Sequence, residues 1–375
     1  MRLLRLHAIN YRSLRNTRVD LGDMNLFIGA NGSGKSAILD ALRFLLEGTQ
    51  GYDFRGPTYS RGGIVHLAWK GEEARQVDLS LLFEDNECEY EWLVRLLRVG
   101  HEFRVEERVN MFEPQSPPAE LLNANGGRGW WWSDDRRERV SIRLNPTACA
   151  LAVASADESF RARALIEFIS NWGFFDPNPF LLRRDWTGLD SGSFDPYGRN
   201  LAETLYGIWQ DSPDSLDLIC QSTRSVLGIP SRIEPRESDD RFYFVQHEPG
   251  LEYPVNQMGV SSGTLRMIAL MTALHGSSDS NLLGIEEPEN YIHPTALRSF
   301  VEHLQAAQSH IQFLITTHSP MLLDFLDDPE AVRIVGSSSG GTSVSTEENA
   351  EGVRNALVES GFGLGEFYET KGFGS

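Results

Sequence analysis

Eight consecutive residues, Gly29-Ala30-Asn31-Gly32-Ser33-Gly34-Lys35-Ser36, have the composition and spacing of a phosphate cradle. Glycines let successive backbone N–H groups turn inward, a following helix offers its positive end, and a lysine reaches the terminal phosphates. In such a loop the segment from Asn31 through Ser33 to Lys35 is expected to hold the β-phosphate of ATP, and the Ser36 hydroxyl to ligate Mg²⁺. The pattern alone recurs by chance. What makes it specific is context, a strand before it and a helix after it.

Three further segments could complete the chemistry. Leu282-Leu283-Gly284-Ile285-Glu286-Glu287-Pro288-Glu289 reads as a buried strand that runs straight into acids. One carboxylate there can hold Mg²⁺ and the next can orient and deprotonate water, which assigns Glu286 to the metal and Glu287 to the general base. Phe313-Leu314-Ile315-Thr316-Thr317-His318-Ser319-Pro320 is a second buried strand with a histidine just past its carboxyl edge, where α/β sheets bind ligands. His318 is placed to contact the γ-phosphate. Val260-Ser261-Ser262-Gly263-Thr264-Leu265-Arg266 is a small polar turn at a helix start. Its ordinary reading is a serine N-cap, although helix N-termini with hydroxyls and glycine also bind phosphate. Each of the three has such a bland alternative by itself, a solvated helix start for the acids and a structural histidine for His318. The upstream cradle is what favours the chemical reading.

The elements that must position these residues are legible in hydropathy. Alternation over 3–9 and 25–28 predicts two strands, and Ile38, Leu39, Leu42, Leu45 and Leu46 follow a helical face that stops before Gly48 and Gly51. The runs 77–83, 90–97 and 103–112 predict an antiparallel meander. Residues 113–255, rich in Pro, Gly and Trp, read as a largely helical or irregular lobe, with helices around 156–170 and 200–227. From 256 onward the pattern is α/β, with helix 262–275, strand 282–285, helix 294–308, strand 311–315 and helix 320–326. Three regions follow, 1–112, 113–255 and 256–375. No sustained heptad marks a long coiled coil.

A formal charge of −19 argues against a protein that coats nucleic acid with a generally basic surface, so any DNA contact must be local. Two arginine clusters stand beside aromatics, Arg136, Arg137 and Arg139 near Trp130–Trp132, and Arg183 and Arg184 before Trp186. The ordinary reading of the first is a solvated loop whose charge Asp134 and Asp135 offset. No stretch of eighteen apolar residues and no leader pattern occur, so the expected location is the cytoplasm with no membrane partner. Cys88, Cys149 and Cys220 form no metal or redox spacing.

Taken in order, the cradle near 30, Ser-Ser-Gly-Thr near 261, Glu-Glu-Pro-Glu near 286 and Thr-Thr-His-Ser near 317 resemble ABC-type ATPases of the RecF, SMC and OLD branch. Asn10-Tyr11-Arg12-Ser13-Leu14 on the opening strand and Glu287-Pro288-Glu289-Asn290-Tyr291-Ile292-His293-Pro294 carry the likeness further. It is nearest to bacterial ATPases with an AAA_21-type domain, which also end in a segment like Leu364-Gly365-Glu366-Phe367-Tyr368. The resemblance implies an α/β P-loop head with a mixed central sheet, an antiparallel β lobe and a helical lobe carrying the signature. It further implies an ATP-dependent homodimer in which Ser261 and Gly263 act in trans, Asn290–His293 form the D-loop, His318 is the switch histidine and Arg12 approaches the nucleotide. Glu286 stands where many relatives have aspartate, and Ser262 where glycine or aspartate is common. The process implied is DNA maintenance or anti-phage defence. Only 57 residues follow His318, fewer than a fused nuclease domain of roughly a hundred needs, so a nuclease or other effector is expected to be a separate protein. A transporter subunit or a switch with little hydrolysis would share these motifs. A P-loop kinase or GTPase would need neither the signature nor His318.

Overall fold

In the computed structural model the described residues are 1–184, 193–228, 232–239, 241–277, 279–346 and 350–371. The chain divides into two compact units, Met1–Trp172 with Arg333–Thr346, and Gly173–Val332 with Glu347–Ser375.

The first unit is built on an eight-stranded antiparallel sheet. Its strands are β1 (Arg2–Tyr11), β2 (Leu14–Asp20), β4 (Gln76–Asp85), β5 (Cys88–Val99), β6 (Glu102–Phe112), β7 (Ala119–Asn125), β8 (Arg128–Ser133) and β9 (Glu138–Arg143), while β3 (Met24–Ile28) belongs to another sheet. The order across the first sheet is β2-β1-β4-β5-β6-β7-β8-β9. Val77, Leu79, Leu81 and Phe83 of β4 and Tyr90, Trp92, Val94 and Leu96 of β5 are buried on one face, the period of two that a half-buried strand requires. Each such side chain contributes about 1.5–3 kcal/mol by leaving water. Helix α1 (Lys35–Gln50) buries Ile38, Leu39, Leu42, Leu45 and Leu46, and its Phe44 meets Tyr11 of β1 edge-on at 5.8 Å between ring centroids. The strands Val332–Ser338 and Gly341–Thr346 return from the far end of the chain and pair antiparallel, and Val332–Ser338 is the sheet neighbour of β3.

Two expectations are corrected here. Residues 1–28 form three strands, the addition being β2, whose outward residues are polar and whose alternation is therefore faint. The region 113–255, expected to be largely helical or irregular, begins instead as sheet, because β7, β8 and β9 extend the first sheet to Arg143. Their buried side needs only Leu122, Ala124, Trp131 and Ile142, too thin a pattern beside so many Asn, Arg and Gly residues.

The second unit places a helix, Ser262–His275, that is buried on nearly every side. Strand Leu282–Glu286 runs parallel to strand Gln312–Thr317, with Glu286 opposite Thr316, and helix Pro294–Ala307 lies between them in the chain. The all-buried Gln312–Thr317 is what a parallel strand covered on both faces should be. The stretch 200–227 is two helices, Leu201–Asp211 and Pro213–Leu227, since Pro213 cannot continue the first but suits the start of the second. A hairpin, Arg232–Ser238 with Arg241–His247, follows where irregular chain was expected. Among the described residues no helix is long and apolar enough to cross a membrane.

Candidate functional site

The cradle in the first unit is shaped by three glycines, each for its own reason. A Cβ on Gly29 would strike the carbonyl oxygen of Val335. Gly32 has φ 75° and open space where a Cβ would stand, and Gly34 has φ 111° with Thr342 and Ser13 against it. These φ values belong to the left-handed region that glycine alone enters freely. Thr342 Oγ1 lies 2.9 Å from both Ser33 O and Ser13 Oγ, so a residue far along the chain fixes the loop from behind.

Helix α1 begins with Gly34 as N-cap and no side-chain cap, and Ser36 is exposed in its first turn. An uncapped, glycine-flanked N-terminus is suited to a phosphate. Lys35 is buried, with Nζ donating to Gly29 O at 2.8 Å and Ala30 O at 3.1 Å. Its ammonium is thereby curled over the loop, within reach of an anion held there. Arg12, expected near the nucleotide, has its Nε 3.0 Å from Asp40 of α1, one turn beyond Ser36. Asp40 also takes Arg61 at 2.9 Å and the Tyr11 hydroxyl at 2.6 Å. Burial first, and then Asp40, push the Tyr11 phenol well above its ordinary range.

In the second unit the acids and the histidine come together. Glu287 follows strand Leu282–Glu286 with φ 44°, a strained conformation for glutamate. Several groups hold it there. Its N–H donates to Thr316 O at 3.0 Å, His318 Nε2 lies 3.0 Å from Oε1, and Asn290 Nδ2 donates to Oε2 at 2.8 Å. Both Glu287 and His318 side chains remain about one-third exposed, at 34% and 33%, so water can reach the pair. This carboxylate, oriented by two partners beside solvent, can order a water and accept its proton.

Two residues without an assigned role in the sequence reading complete the arrangement. Arg266, 2% exposed, donates from Nη2 to Glu286 O at 2.8 Å and to Glu287 O at 2.9 Å, and from Nη1 to Pro177 O. Burial draws its pKa down, with Asp176 opposing. Glu289 Oε1 accepts from Thr317 Oγ1 at 2.7 Å and from the His318 N–H at 2.9 Å, fixing the turn that presents the histidine. The signal for Arg266 was a lone charge on a helix otherwise apolar on all sides. For Glu289 it was the third acid of the Glu-Glu-Pro-Glu run.

Ser261 is the N-cap of helix Ser262–His275, accepting from Thr264 N–H at 3.2 Å. A Cβ on Gly263 would strike Tyr291 O, so only glycine lets the turn Asn290–His293 lie against this helix start. Arg183 donates to Ser262 Oγ at 2.9 Å and Val260 O at 3.2 Å, bracing the turn rather than forming a separate basic cluster, while Trp186 lies outside the described residues. Ser261, Gly263, Tyr291 and His293 line an open cavity of about 610 Å³. Tyr291 is 68% exposed at its mouth.

The donor set suits nucleotide and Mg²⁺. Mg²⁺ takes one or two protein oxygens and completes its shell with water and phosphate oxygens; the Ser36 hydroxyl of the first unit is exposed, and Glu286 of the second unit is partly exposed at the end of its strand. Among the described residues no cluster of three or more His, Cys, Asp or Glu is arranged for a metal.

Comparison with known proteins agrees with these motifs. Residues 132–324 match the family AAA_21, described as "AAA domain, putative AbiEii toxin, Type IV TA system", and residues 1–120 match AAA_15, "AAA ATPase domain". The OLD nuclease of Thermus scotoductus is 24% identical over 98% of this chain and 68% of its own length. The "Retron Ec83 probable ATPase" of Escherichia coli is 21% identical over 87% of this chain and 70% of its own. An Smc head domain from Pyrococcus furiosus, solved with the C-terminal domain of ScpA, superposes with a TM-score of 0.55 at 11% identity, covering 95% of this chain and 99% of that one. That last likeness is one of fold.

Proposed function

The chain belongs to the AAA_21 family and is an ATPase of the ABC type, in the RecF, SMC and OLD branch, and from that premise we propose that it hydrolyses ATP as a Mg²⁺-dependent homodimer in DNA maintenance or anti-phage defence, with a separate effector protein. The observation that carries this reading is the Glu287 carboxylate held between His318 Nε2 and Asn290 Nδ2 at the end of a buried strand.

On this reading the N–H groups from Asn31 to Lys35 take the β-phosphate of ATP, and Lys35 Nζ leaves the carbonyls of Gly29 and Ala30 for the terminal phosphates. Ser36 and Glu286 would hold Mg²⁺, which when bound neutralises charge on the phosphate oxygens. Glu287 orders the attacking water and takes its proton, while His318 contacts the γ-phosphate. Ser261 and Gly263 meet the γ-phosphate held by a second copy. Their setting favours this, because the cap side chain, Gly263 and exposed Tyr291 share one open cavity. Arg12, tied to Asp40, acts on the nucleotide only through α1 unless that pair opens. The defence assignment draws on the likeness to an OLD nuclease and a retron ATPase. A cytoplasmic location accords with the same relatives.

The test compares wild type, Lys35→Ala and Glu287→Gln by ATP binding, phosphate release and light scattering with and without ATP. Glu287→Gln keeps ATP affinity, loses about 10²–10⁴-fold in turnover and accumulates dimer. Lys35→Ala loses ATP binding. Turnover by Glu287→Gln at the wild-type rate refutes the base, and a monomer at saturating ATP refutes the dimer.

A further inference from the structure

The outward face of the sheet at its β6–β9 end carries arginines and tryptophans that the ATPase reading leaves unused. Register places Arg128 directly opposite Arg143, Trp130 opposite Ser141 and Asn123, and Trp132 opposite Arg139, with Arg108 opposite Asn123 one strand further in. Arg104 reaches the β7–β8 turn, its Cδ next to Gly126. All five arginines are exposed, and the two indoles are half-buried. The basic cluster of the sequence is thus a sheet surface, with only Arg136 and Arg137 in its hairpin turn.

Charge on this face is unusually arranged. Like charges directly across a strand pair repel, yet Arg128 and Arg143 face each other. Among the described residues Arg104, Arg108, Arg128, Arg139 and Arg143 have no ion pair. Three acids of the same face are engaged, Glu106 with Arg95 at 3.6 Å, Glu120 with Asn123 and Glu102 with the Tyr59 hydroxyl. At the inner end of the sheet Arg5 and Arg95 are each matched to an aspartate. A chain of net charge −19 therefore leaves positive charge unmatched on one strip. Beside it the Arg139 guanidinium stacks 3.9 Å over Trp130, and Trp132 Nε1 is fixed by Asp134 at 3.0 Å.

We propose that this strip, Arg104, Arg128 and Arg143 followed by Trp130, Arg139 and Trp132, is a binding surface for single-stranded nucleic acid. The unmatched guanidinium groups take successive phosphates, and the indole and stacked guanidinium planes take unpaired bases. The five residues from Arg128 to Trp132 span about 13 Å, room for about two nucleotides. A duplex offers only phosphates to a flat sheet and would leave the indoles idle, whereas an acidic peptide has no bases to stack. The proposal builds on the reading that this ATPase serves DNA-directed processes, but it uses none of the ATP-site residues.

Fluorescence anisotropy of the full chain tests it, with labelled oligodeoxythymidylate, oligouridylate and a duplex of equal length, over a range of salt. Wild type binds at least one single strand more tightly than duplex, and the two single strands distinguish DNA from RNA. Arg128→Gln with Arg143→Gln weakens that binding about tenfold or more and lowers the salt slope by about 1.4. Trp130→Ala weakens it about fivefold or more and Trp130→Phe restores it. Phosphate release from ATP and the melting temperature are read on the same samples and stay at wild-type values, which confirms folding. Arg128→Lys with Arg143→Lys keeps charge and salt slope, a second check should the glutamine pair melt early. Unchanged affinity in the glutamine pair, a preference for duplex indifferent to Trp130, or altered self-association with no strand bound would each overturn the proposal. Lost ATP hydrolysis in Glu287→Gln with intact strand binding would leave it standing, and wild-type turnover there would count against the ATPase mechanism alone.

Discussion

Replacing Arg266 with methionine tests whether the helix Ser262–His275 physically holds the acid pair. Methionine fills most of the arginine stem, so the change isolates the guanidinium, which is 2% exposed and donates to the carbonyls of Pro177, Glu286 and Glu287. Three hydrogen bonds from a charged donor are worth about 1.5–3 kcal/mol each. Burying the guanidinium offsets several kcal/mol of that sum, and removing one partner of a buried charged cluster typically costs about 3–5 kcal/mol. We expect a loss of about 3 kcal/mol, a large part of the 5–15 kcal/mol by which domains are stable. Urea unfolding measures it. The functional signature differs from simple destabilisation. With the Glu287 backbone released from φ 44°, turnover falls about tenfold or more while ATP affinity, which the proposed function assigns to the loop before α1, is retained. Arg266→Lys keeps the charge but cannot span the carbonyls, so it recovers stability more than turnover. A methionine variant within about 0.5 kcal/mol of wild type and fully active would refute the reasoning.

Two more outcomes follow from the first unit. Burial pushes the Glu107 carboxyl up to about 7, against the opposing donors Ala150 N–H, Trp92 Nε1, Leu151 N–H and Cys149 Sγ. The folded chain therefore holds a proton between 4.5 and about 7 that the unfolded chain has lost. Stability is full below 4.5 and falls by about 3 kcal/mol as pH rises through 7. Glu107→Gln should remove that slope in unfolding measured on both sides of the window, and an unaltered slope would show that another group is responsible. Gly34→Ala should weaken ATP binding about tenfold or more and lower the melting temperature, since it combines a positive φ with a collision against Thr342. Calorimetric titration with ATP checks it, and wild-type affinity would remove the backbone argument for that position.

How much was legible in advance follows from how each element buries itself. Strands covered on both faces and helices with a wide apolar stripe announce themselves, and the helix at 262–275, the strands at 282–286 and 312–317 and the helix at 320–326 lie where hydropathy places them, within two residues. Their adjacent polar residues could then be singled out as candidates for chemistry. Strands with one wet face were not, because β2 and β7–β9 present Arg and Asn to solvent and bury only a few apolar groups. Contacts across hundreds of residues were equally hidden. Nothing near Gly34 indicates that Thr342 will fill the space its missing Cβ leaves, and nothing near Arg183 indicates that it will brace Ser262.

Arg266 could have been inferred, and its placement changes how the site is understood. A charge on a helix buried all round must find partners, and here they are backbone carbonyls of the very residues proposed to handle water and metal. The same helix begins at Ser261 and Gly263, and Gly263 lies under the carbonyl of Tyr291. Glu287 in turn is tied to Asn290 of that turn and to His318, whose N–H is fixed by Glu289. Any displacement of the helix start is therefore felt at Glu287 by two routes, through Arg266 and through the turn from Asn290 to His293. On the proposed dimer, a second copy pressing on Ser261 and Tyr291 would act on the base of the copy it touches as well as on its own nucleotide. Hydrolysis at the two sites would then be coupled within each protomer. A mixed dimer of wild type with Arg266→Met should consequently show reduced turnover beyond the loss of one site, whereas independent sites would retain half.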